Sequence, residues 1–149
     1  MESSYQRLEE ALTQRDLDRV LAAIPYARFL GLRAQRDGDD LILLMPGHER
    51  VIGNPVLPAL HGGAVGALLE STAIFKLLWD THPDRVPKTI NITVDYLRSG
   101  RVQDTWARAV ITKEGRRVAN VQVRAFQADE NKPIAVAHAH FLLYPKKIA

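Results

Sequence analysis

The segment from Gly62 to Asp80 constrains the fold of this chain more than any other segment. It contains no proline, is rich in alanine and leucine, and is apolar almost all round. A helix with apolar side chains on every side is buried by the rest of its domain. No run in the chain reaches the roughly 18 consecutive apolar residues of a membrane span. We therefore expect Gly62–Asp80 to be a buried helix at the centre of a globular domain, ended by His82-Pro83-Asp84.

The sequence after this helix is typical of β-structure. Apolar and polar residues alternate, as they do on strands with one buried face, and turn residues separate the alternating runs. Strands are predicted at 88–97, 105–113, 118–128 and 134–144, and the first of them places Ile90, Ile92, Val94 and Tyr96 on one face. Strands gathered after one apolar helix imply a sheet wrapped around that helix. The predicted fold class is α+β, with a long antiparallel sheet around a central buried helix.

Residues 1–25 are predicted to form an extra helical segment packed on this domain. Apolar residues between Tyr5 and Ile24 recur at helical spacing. Asp16 is placed to cap a second short helix, and Pro25 is expected to end the run.

A hairpin and a long loop join this segment to the central helix. Strands at 29–36 and 41–45 flank the turn Asp37-Gly38-Asp39-Asp40. Pro55 and Pro58 predict irregular structure throughout 48–60. The length of 149 residues fits one domain, and no linker or repeat divides it, so a single domain is predicted over 1–149.

The composition excludes several classes of protein. No cysteine is present, which excludes disulfides, a thiolate nucleophile and cysteine-based metal sites. His138 and His140 share a strand face, but a metal would need a third ligand, so neither a metal nor a cofactor is predicted. The formal net charge of +3 comes from basic residues spread along the chain, which suits a polyanionic small ligand better than nucleic acid. The N-terminus lacks the order of a signal peptide, so a cytoplasmic protein is expected.

Glu70 is the most informative residue for function. Its neighbours one and two helical turns away are apolar or small, and none of them can neutralise a carboxylate. Burying an unpaired carboxylate costs several kcal/mol, which proteins tolerate mainly where the group works as a base or nucleophile. An ion pair with an arginine or lysine from elsewhere, or an exposed helix face, is the alternative. Position alone does not decide between these interpretations.

The start of the same helix suits a developing negative charge. Gly62 and Gly63 leave backbone N–H groups open to a ligand, and such donors stabilise an oxyanion; a simple tight turn is the alternative. His61 could bind a carbonyl oxygen or the loop backbone. Asn54, in the loop upstream, belongs to a residue type that commonly just forms a turn.

Taken together, Asn54, the turn His61-Gly62-Gly63 and Glu70, nine residues after the histidine, resemble the phenylacetate-degradation (PaaI-like) type of hotdog-fold acyl-CoA thioesterase. The run 91–98 is similar to that family's strand after the helix, and the resemblance covers about 27–144. Two features depart from the family pattern. The acid is Glu where many relatives have Asp, and Asn54 lies seven residues before the histidine where six is common.

The resemblance implies a hotdog fold and a homodimer or homotetramer with active sites between subunits. The Gly62 N–H would polarise a thioester carbonyl near His61 and Asn54. Glu70 would activate water or attack directly, and Thr89 matches a hydroxyl residue that positions the water in some members. Gly63 and Ser71, which belong to the matching motif, are also expected to bind the substrate, with coenzyme A as part of it. The turn residues Arg98, Arg116 and Arg117 could reach its phosphates, although exposed turn arginines commonly have no such role.

The expected reaction is hydrolysis of an acyl-CoA thioester to a free acid and coenzyme A. Two alternatives stay open. One is a hotdog hydratase or dehydratase acting on acyl-CoA or acyl carrier protein, which also uses a histidine and an acid. The other is a protein that binds acyl-CoA without catalysis. Thiol release, hydration of an enoyl thioester and binding without turnover distinguish the three.

Overall fold

The computed structural model describes residues 1–80 and 85–145. The order of elements follows the predicted order: helices, a hairpin, a connecting loop, one long helix and four long strands. The elements are α1 (Ser4–Thr13), α2 (Leu17–Ala23), α3 (Pro25–Leu30), β1 (Arg33–Asp37), β2 (Asp40–Met45), a 3-10 turn (Glu49–Val51), β3 (Ile52–Asn54), β4 (Ala59–Leu60), α4 (Gly62–Asp80), β5 (Arg85–Tyr96), β6 (Thr105–Glu114), β7 (Val118–Phe126) and β8 (Ala135–Pro145). The expected helix stop at His82-Pro83-Asp84 lies outside the described residues.

Six strands form one antiparallel sheet in the order β1-β2-β6-β7-β8-β5. The twelve-residue β5 therefore lies at one edge, with β8 as its neighbour. Each of the four predicted long strands is present, with ends that differ by a few residues from the predicted ones. The α+β class and the sheet around a central helix are confirmed.

Small residues on the inner face of the sheet receive α4. The residues of β6, β7 and β8 that point to the helix are mainly alanine, among them Ala107, Ala119, Ala125, Ala135, Ala137 and Ala139, each at most 1% exposed. Because alanine adds little bulk, the backbone of α4 can approach the sheet closely, and the larger side chains of the helix fill the space between them. Leu68, Leu69 and Leu77 of α4 are completely buried in this core.

One side of α4 is not covered by the rest of the chain. Gly66, Ala67, Glu70, Ser71 and Ile74 are only half-buried, although the composition of the segment predicted burial on every side. The open side faces the β5 edge, since Glu70 meets a β5 side chain there. Among the described residues, no helix has the length and apolar composition needed to cross a membrane.

The N-terminal segment folds as three short helices. Asp16 caps α2 as expected, its side chain accepting from the Arg19 N–H at 3.0 Å. The helical run stops before Pro25 as expected, since α2 ends at Ala23 and Ile24 is extended. The sequence did not predict that a new helix, α3, begins at Pro25 itself. Proline suits that position, where no N–H is needed. Consequently Phe29 is helical, and the hairpin strand begins at Arg33 instead.

The loop before α4 is more regular than its prolines predict. It contains the 3-10 turn and the small antiparallel pair of β3 and β4. Both Pro55 and Pro58 lie in the turn between these two strands, so neither removes a hydrogen-bond donor from the ladder. The expectation of irregular structure over 48–60 is therefore wrong at its two ends.

A β-bulge at Ile90 changes which side chains of β5 face α4. Thr89 pairs with Phe141 and Asn91 with His140, which leaves Ile90 as the extra residue. A bulge shifts the alternation of a strand by one residue. As a result Thr89 and Ile92, three residues apart, both face the helix. Ile90, predicted to share the inner face, is 54% exposed.

Ion pairs tie the C-terminal half of α4 to the sheet. Lys76 Nζ donates to Asp40 Oδ1 at 2.9 Å and to Asp80 Oδ2 at 2.7 Å. Arg108 of β6 binds Asp40 Oδ2 at 2.8 Å and Glu130 Oε1 at 2.6 Å. Burial raises the pKa of the Asp40 carboxyl, but hydrogen bonds from Lys76 and Arg108 lower it by more, so that its pKa falls from 3.8 to about 2.

We predict that Asp40 stabilises the fold at neutral pH and ceases to do so in acid. Its folded pKa lies below the unfolded one, so its contribution is complete above about pH 4 and disappears as the pH falls towards 2. Asp40→Asn should lower the free energy of unfolding at pH 7 by about 1–2 kcal/mol. The difference from the wild type should shrink below pH 4 in urea unfolding curves. Asp39→Asn, an exposed carboxylate of the same turn, is the matched control; an equal loss in that variant would contradict the assignment.

Candidate active site

The turn into α4 is held against the loop that precedes it. The His61 N–H donates to the Val51 carbonyl at 2.7 Å. A Cβ atom on Gly53 would lie 2.5 Å from the Cα of His61, a distance that only glycine allows. The start of α4 is therefore fixed from the side of β3.

The His61 side chain caps α4. Its Nδ1 accepts a hydrogen bond from the Gly63 N–H at 2.8 Å. For Nδ1 to accept, the neutral ring must carry its proton on Nε2, which points away from the helix backbone. A Cβ atom on Gly63 would lie 2.9 Å from the ring atoms Cε1 and Nδ1, so glycine is required for this close contact. Of the two predicted roles of His61, the structure shows the hydrogen bond to the backbone.

The first backbone N–H of α4 has no hydrogen-bond acceptor among the described residues. The His61 carbonyl accepts from the Ala64 N–H at 3.0 Å and from the Val65 N–H at 3.1 Å, and the His61 ring takes the Gly63 N–H. Within 1–80 and 85–145, no acceptor binds the Gly62 N–H. That donor lies at the positive end of a 19-residue helix, where a negative charge is stabilised.

A cavity of about 350 Å³ opens beside Gly62. Tyr96 and Arg98 line it together with the start of α4, so the structure brings Arg98 close to the Gly62 site. The Tyr96 hydroxyl donates to the Gly62 carbonyl at 2.7 Å. The backbone that carries Arg98 is fixed as well, because its N–H donates to the Ile134 carbonyl at 3.1 Å.

Glu70 lies in the middle of α4, with one hydroxyl group bound to it. The Thr89 hydroxyl donates to Glu70 Oε1 at 3.1 Å, an approach made possible by the Ile90 bulge. No arginine or lysine of the described chain forms an ion pair with Glu70, so the ion-pair interpretation finds no support in this part of the molecule. The carboxylate is half-buried on the open side of the helix, where a ligand can reach it.

Asn54 makes a turn within its own loop. Its Oδ1 accepts from the Val56 N–H at 3.0 Å and from the Leu57 N–H at 3.1 Å. This is the common role of asparagine in a loop. Its predicted place beside a substrate carbonyl stays a prediction.

The remaining predicted substrate-binding residues lie apart from Gly62. Ser71 is half-buried on α4, next to Glu70 in the sequence. Arg116 and Arg117 are exposed in the β6–β7 hairpin, which contacts the first residue of β5, since the Arg85 guanidinium donates to the Gly115 carbonyl at 3.4 Å. That hairpin is at the opposite end of β5 from Tyr96.

The two strand histidines lie on the outer face of the sheet. His140 Nδ1 is 2.7 Å from Asn91 Oδ1, and His138 pairs with Thr93 and Gln122 across the strands. In the part of the chain that the structure describes, no group of three histidine, cysteine or acidic side chains is arranged to hold a metal ion.

Tyr96 is the contact that the sequence interpretation missed. Its alternation with Ile92 and Val94 marked it only as one more inward residue of β5. A signal was nevertheless present in α4, because Gly62 and Gly66 are four residues apart and therefore share one face of the helix. Two glycines one turn apart leave room for a large side chain from a neighbouring element.

A long antiparallel sheet around one central helix is the hotdog fold. A free N–H at the start of that helix and a carboxylate within it suit attack on a carbonyl group.

Comparison with known proteins identifies the family. A family profile described as acyl-CoA thioesterase N-terminal domain matches residues 54–142. A crystal structure of a Chromobacterium violaceum protein is 37% identical, with 93% of this chain and 97% of that one covered and a TM-score of 0.76. No curated protein sequence is significantly similar. The chain belongs to the acyl-CoA thioesterase family.

More distant structures share the fold. A thioesterase from Haemophilus influenzae is 23% identical, with 88% of this chain and 90% of that one covered and a TM-score of 0.77. A phenylacetic acid degradation-related protein from Ralstonia eutropha is 21% identical, with 91% and 98% covered and a TM-score of 0.73. The family profile confirms the resemblance to acyl-CoA thioesterases that was inferred from 54–71 and 91–98, and these two structures confirm the fold.

Proposed function

We propose that this protein hydrolyses acyl-CoA thioesters to a free acid and coenzyme A, at sites shared between two copies of the chain. The observation that carries the proposal is the Gly62 N–H, which no acceptor among the described residues binds, at the start of the same helix that presents Glu70. Family membership supports the reaction, and the geometry of the two groups supports their roles.

Gly62 supplies the oxyanion donor. When the thioester carbonyl is attacked, its oxygen gains negative charge, and a fixed N–H within about 3 Å stabilises it. The helix dipole adds to this effect at the first turn. His61, with its proton on Nε2, stands beside Gly62 as a second donor to the substrate. Asn54 is the proposed third contact to the carbonyl.

Glu70 supplies the base or nucleophile. As a base it takes a proton from water while the water oxygen bonds to the carbonyl carbon. The carbon–sulfur bond then breaks, and the thiolate of coenzyme A leaves and is protonated. As a nucleophile the carboxylate bonds to the carbonyl carbon, the carbon–sulfur bond breaks and the thiolate of coenzyme A leaves, and water then hydrolyses the resulting anhydride. Thr89 binds Oε1, which leaves Oε2 open for the reaction.

One protomer cannot complete the site by itself. Gly62 and Glu70 are eight residues apart on a continuous helix, which is about 12 Å at 1.5 Å per residue. Both groups must come within about 3 Å of the same reacting carbonyl or its water. Two antiparallel copies of α4, each presenting its open side, would place Glu70 of the partner subunit opposite Gly62.

The edge strand β5 is the proposed dimer seam. A twelve-residue edge exposes unpaired backbone groups that pair readily with a second chain. The open side of α4 faces that edge, so pairing β5 with its copy would bring the two helices together. A homodimer follows, and its further pairing into a tetramer is part of the same proposal.

Coenzyme A is proposed to bind as substrate, without a separate cofactor. Arg98 beside Gly62 suits its phosphates. Arg116 and Arg117 would have to reach them from the partner, because their hairpin is far from Gly62 in the protomer. Gly63 and Ser71 are proposed to contact the thioester arm, and a cytoplasmic location fits the supply of acyl-CoA.

Glu70→Gln tests the role of the carboxylate. Because the amide neither accepts a proton nor attacks, kcat for the best acyl-CoA in a panel of short, medium, long and aromatic substrates should fall by about a hundredfold or more. Release of free thiol measures the rate. Glu114→Gln, an exposed acid at the end of β6, is the control and should keep wild-type turnover. Unchanged turnover in a folded Glu70→Gln dimer would refute the mechanism.

Gly62→Pro tests the oxyanion donor. Proline fits the first position of a helix and removes the backbone N–H there. Loss of one such donor should lower kcat by roughly 100- to 1,000-fold. Gly62→Ala keeps the N–H, and its Cβ would lie in ordinary contact, 3.4 Å from the Tyr96 ring, so its loss should be much smaller. Equal losses in the two variants would show that the N–H has no special role.

Mixed dimers of Gly62→Pro and Glu70→Gln chains test whether sites are shared. In a heterodimer one site combines both altered groups and the other combines both intact groups. Co-expressed and separately tagged, the heterodimer should recover about half of the wild-type rate per dimer, as two-fold symmetry requires. Sites contained within one protomer would leave it inactive.

A further inference from the structure

The position of the Gly62 N–H depends on very few contacts. Glycine has no side chain with which to anchor itself, and its own N–H has to stay free for the substrate. The capping bond of His61 holds Gly63. The one side-chain hydrogen bond to Gly62 itself, among the described residues, comes from the Tyr96 hydroxyl at 2.7 Å.

Both the ring and the hydroxyl group of Tyr96 pack against the first turns of α4. A Cβ atom on Gly62 would lie 3.4 Å from Cζ of the Tyr96 ring, and one on Gly66 would lie 3.4 Å from its hydroxyl oxygen. The Tyr96 side chain therefore lies along the two glycines, with its ring against Gly62 and its hydroxyl oxygen against Gly66. The other end of the tyrosine is fixed by the β5–β8 ladder, where Tyr96 pairs with Ala135.

The Gly62 carbonyl already points along the axis of α4, as helix carbonyls do when they accept from the backbone N–H four residues later. A second hydrogen bond to it from β5 adds no regular structure. What it does is tie the first turn of α4 directly to the edge of the sheet. Pre-organised donors stabilise a transition state only when their position is fixed before the reaction.

We propose that Tyr96 is a positioning residue that holds the Gly62 N–H in place for the transition state. The inference rests on the proposed thioester hydrolysis and adds a residue to it. Tyr96 lies 56% exposed in the cavity beside Gly62, so direct binding of the substrate is the rival role. The two roles differ in their kinetics: positioning changes kcat, whereas substrate binding changes KM.

Tyr96→Phe is the informative variant, because the ring stays against Gly62 while the hydroxyl is lost, together with its hydrogen bond and its contact at Gly66. With the best acyl-CoA of the panel, kcat should fall about tenfold while KM stays within about twofold, since misplacing an oxyanion donor affects the transition state more than the bound substrate. Tyr144→Phe removes the hydroxyl of another exposed tyrosine, on β8, and should leave both constants unchanged.

A second readout does not depend on activity. In ¹H–¹⁵N correlation spectra of the full-length protein, Tyr96→Phe should shift the Gly62 and Gly63 amide resonances and speed hydrogen exchange in the first turn of α4. Tyr144→Phe should not. A Tyr96→Phe enzyme with unchanged kcat overturns the proposal, and so does a raised KM with kcat intact. If the wild type releases no thiol from any acyl-CoA, the proposed hydrolysis itself fails and the positioning role fails with it.

Discussion

The packing of α4 onto an alanine-lined sheet is the contact on which the rest of this molecule depends. The helix runs unbroken for 19 residues, and both groups of the proposed site are attached to it. Because alanine side chains add little bulk, the helix backbone can pack closely against the sheet. The rise of the helix then places Gly62 and Glu70 about 12 Å apart along its axis. The proposed site shared between two copies of the chain rests on that separation.

Two local irregularities of the backbone set the positions of side chains around α4. The bulge at Ile90 turns Thr89 towards Glu70, while Ile92 keeps its place in the core. The close approach of Gly53 to His61 fixes the turn that leads into the helix. In both places the backbone departs from regular structure beside a proposed functional group, a pattern common near active sites.

Sequence patterns predicted most of the fold because the core is patterned strongly. Continuous apolar composition marked α4 from its first residue, Gly62, and alternation marked all four long strands. The predicted secondary structure was incomplete where a residue is compatible with two local conformations. Pro25 can end a helix or begin one, and here α2 ends before it and α3 begins with it. The bulge could not be foreseen, since an extra residue in a strand leaves the alternation looking regular until its partner strand is known.

For the site, the sequence by itself determined the chemical groups and their spacing: a carboxylate eight residues after a glycine at a helix start, with a histidine just before. Spacing along a helix translates directly into distance, which is why this part was readable. Tertiary structure decided which hydrogen-bonding groups of the site have partners and which are open to a ligand. The His61 ring accepts from the Gly63 N–H, and no acceptor among the described residues binds the Gly62 N–H. Thr89 donates to Glu70, and Tyr96 lies on the glycines of α4. The contacts of Thr89 and Tyr96 join a strand to a helix that precedes it in the chain, and their partners are chosen by strand register and packing, which no local pattern encodes.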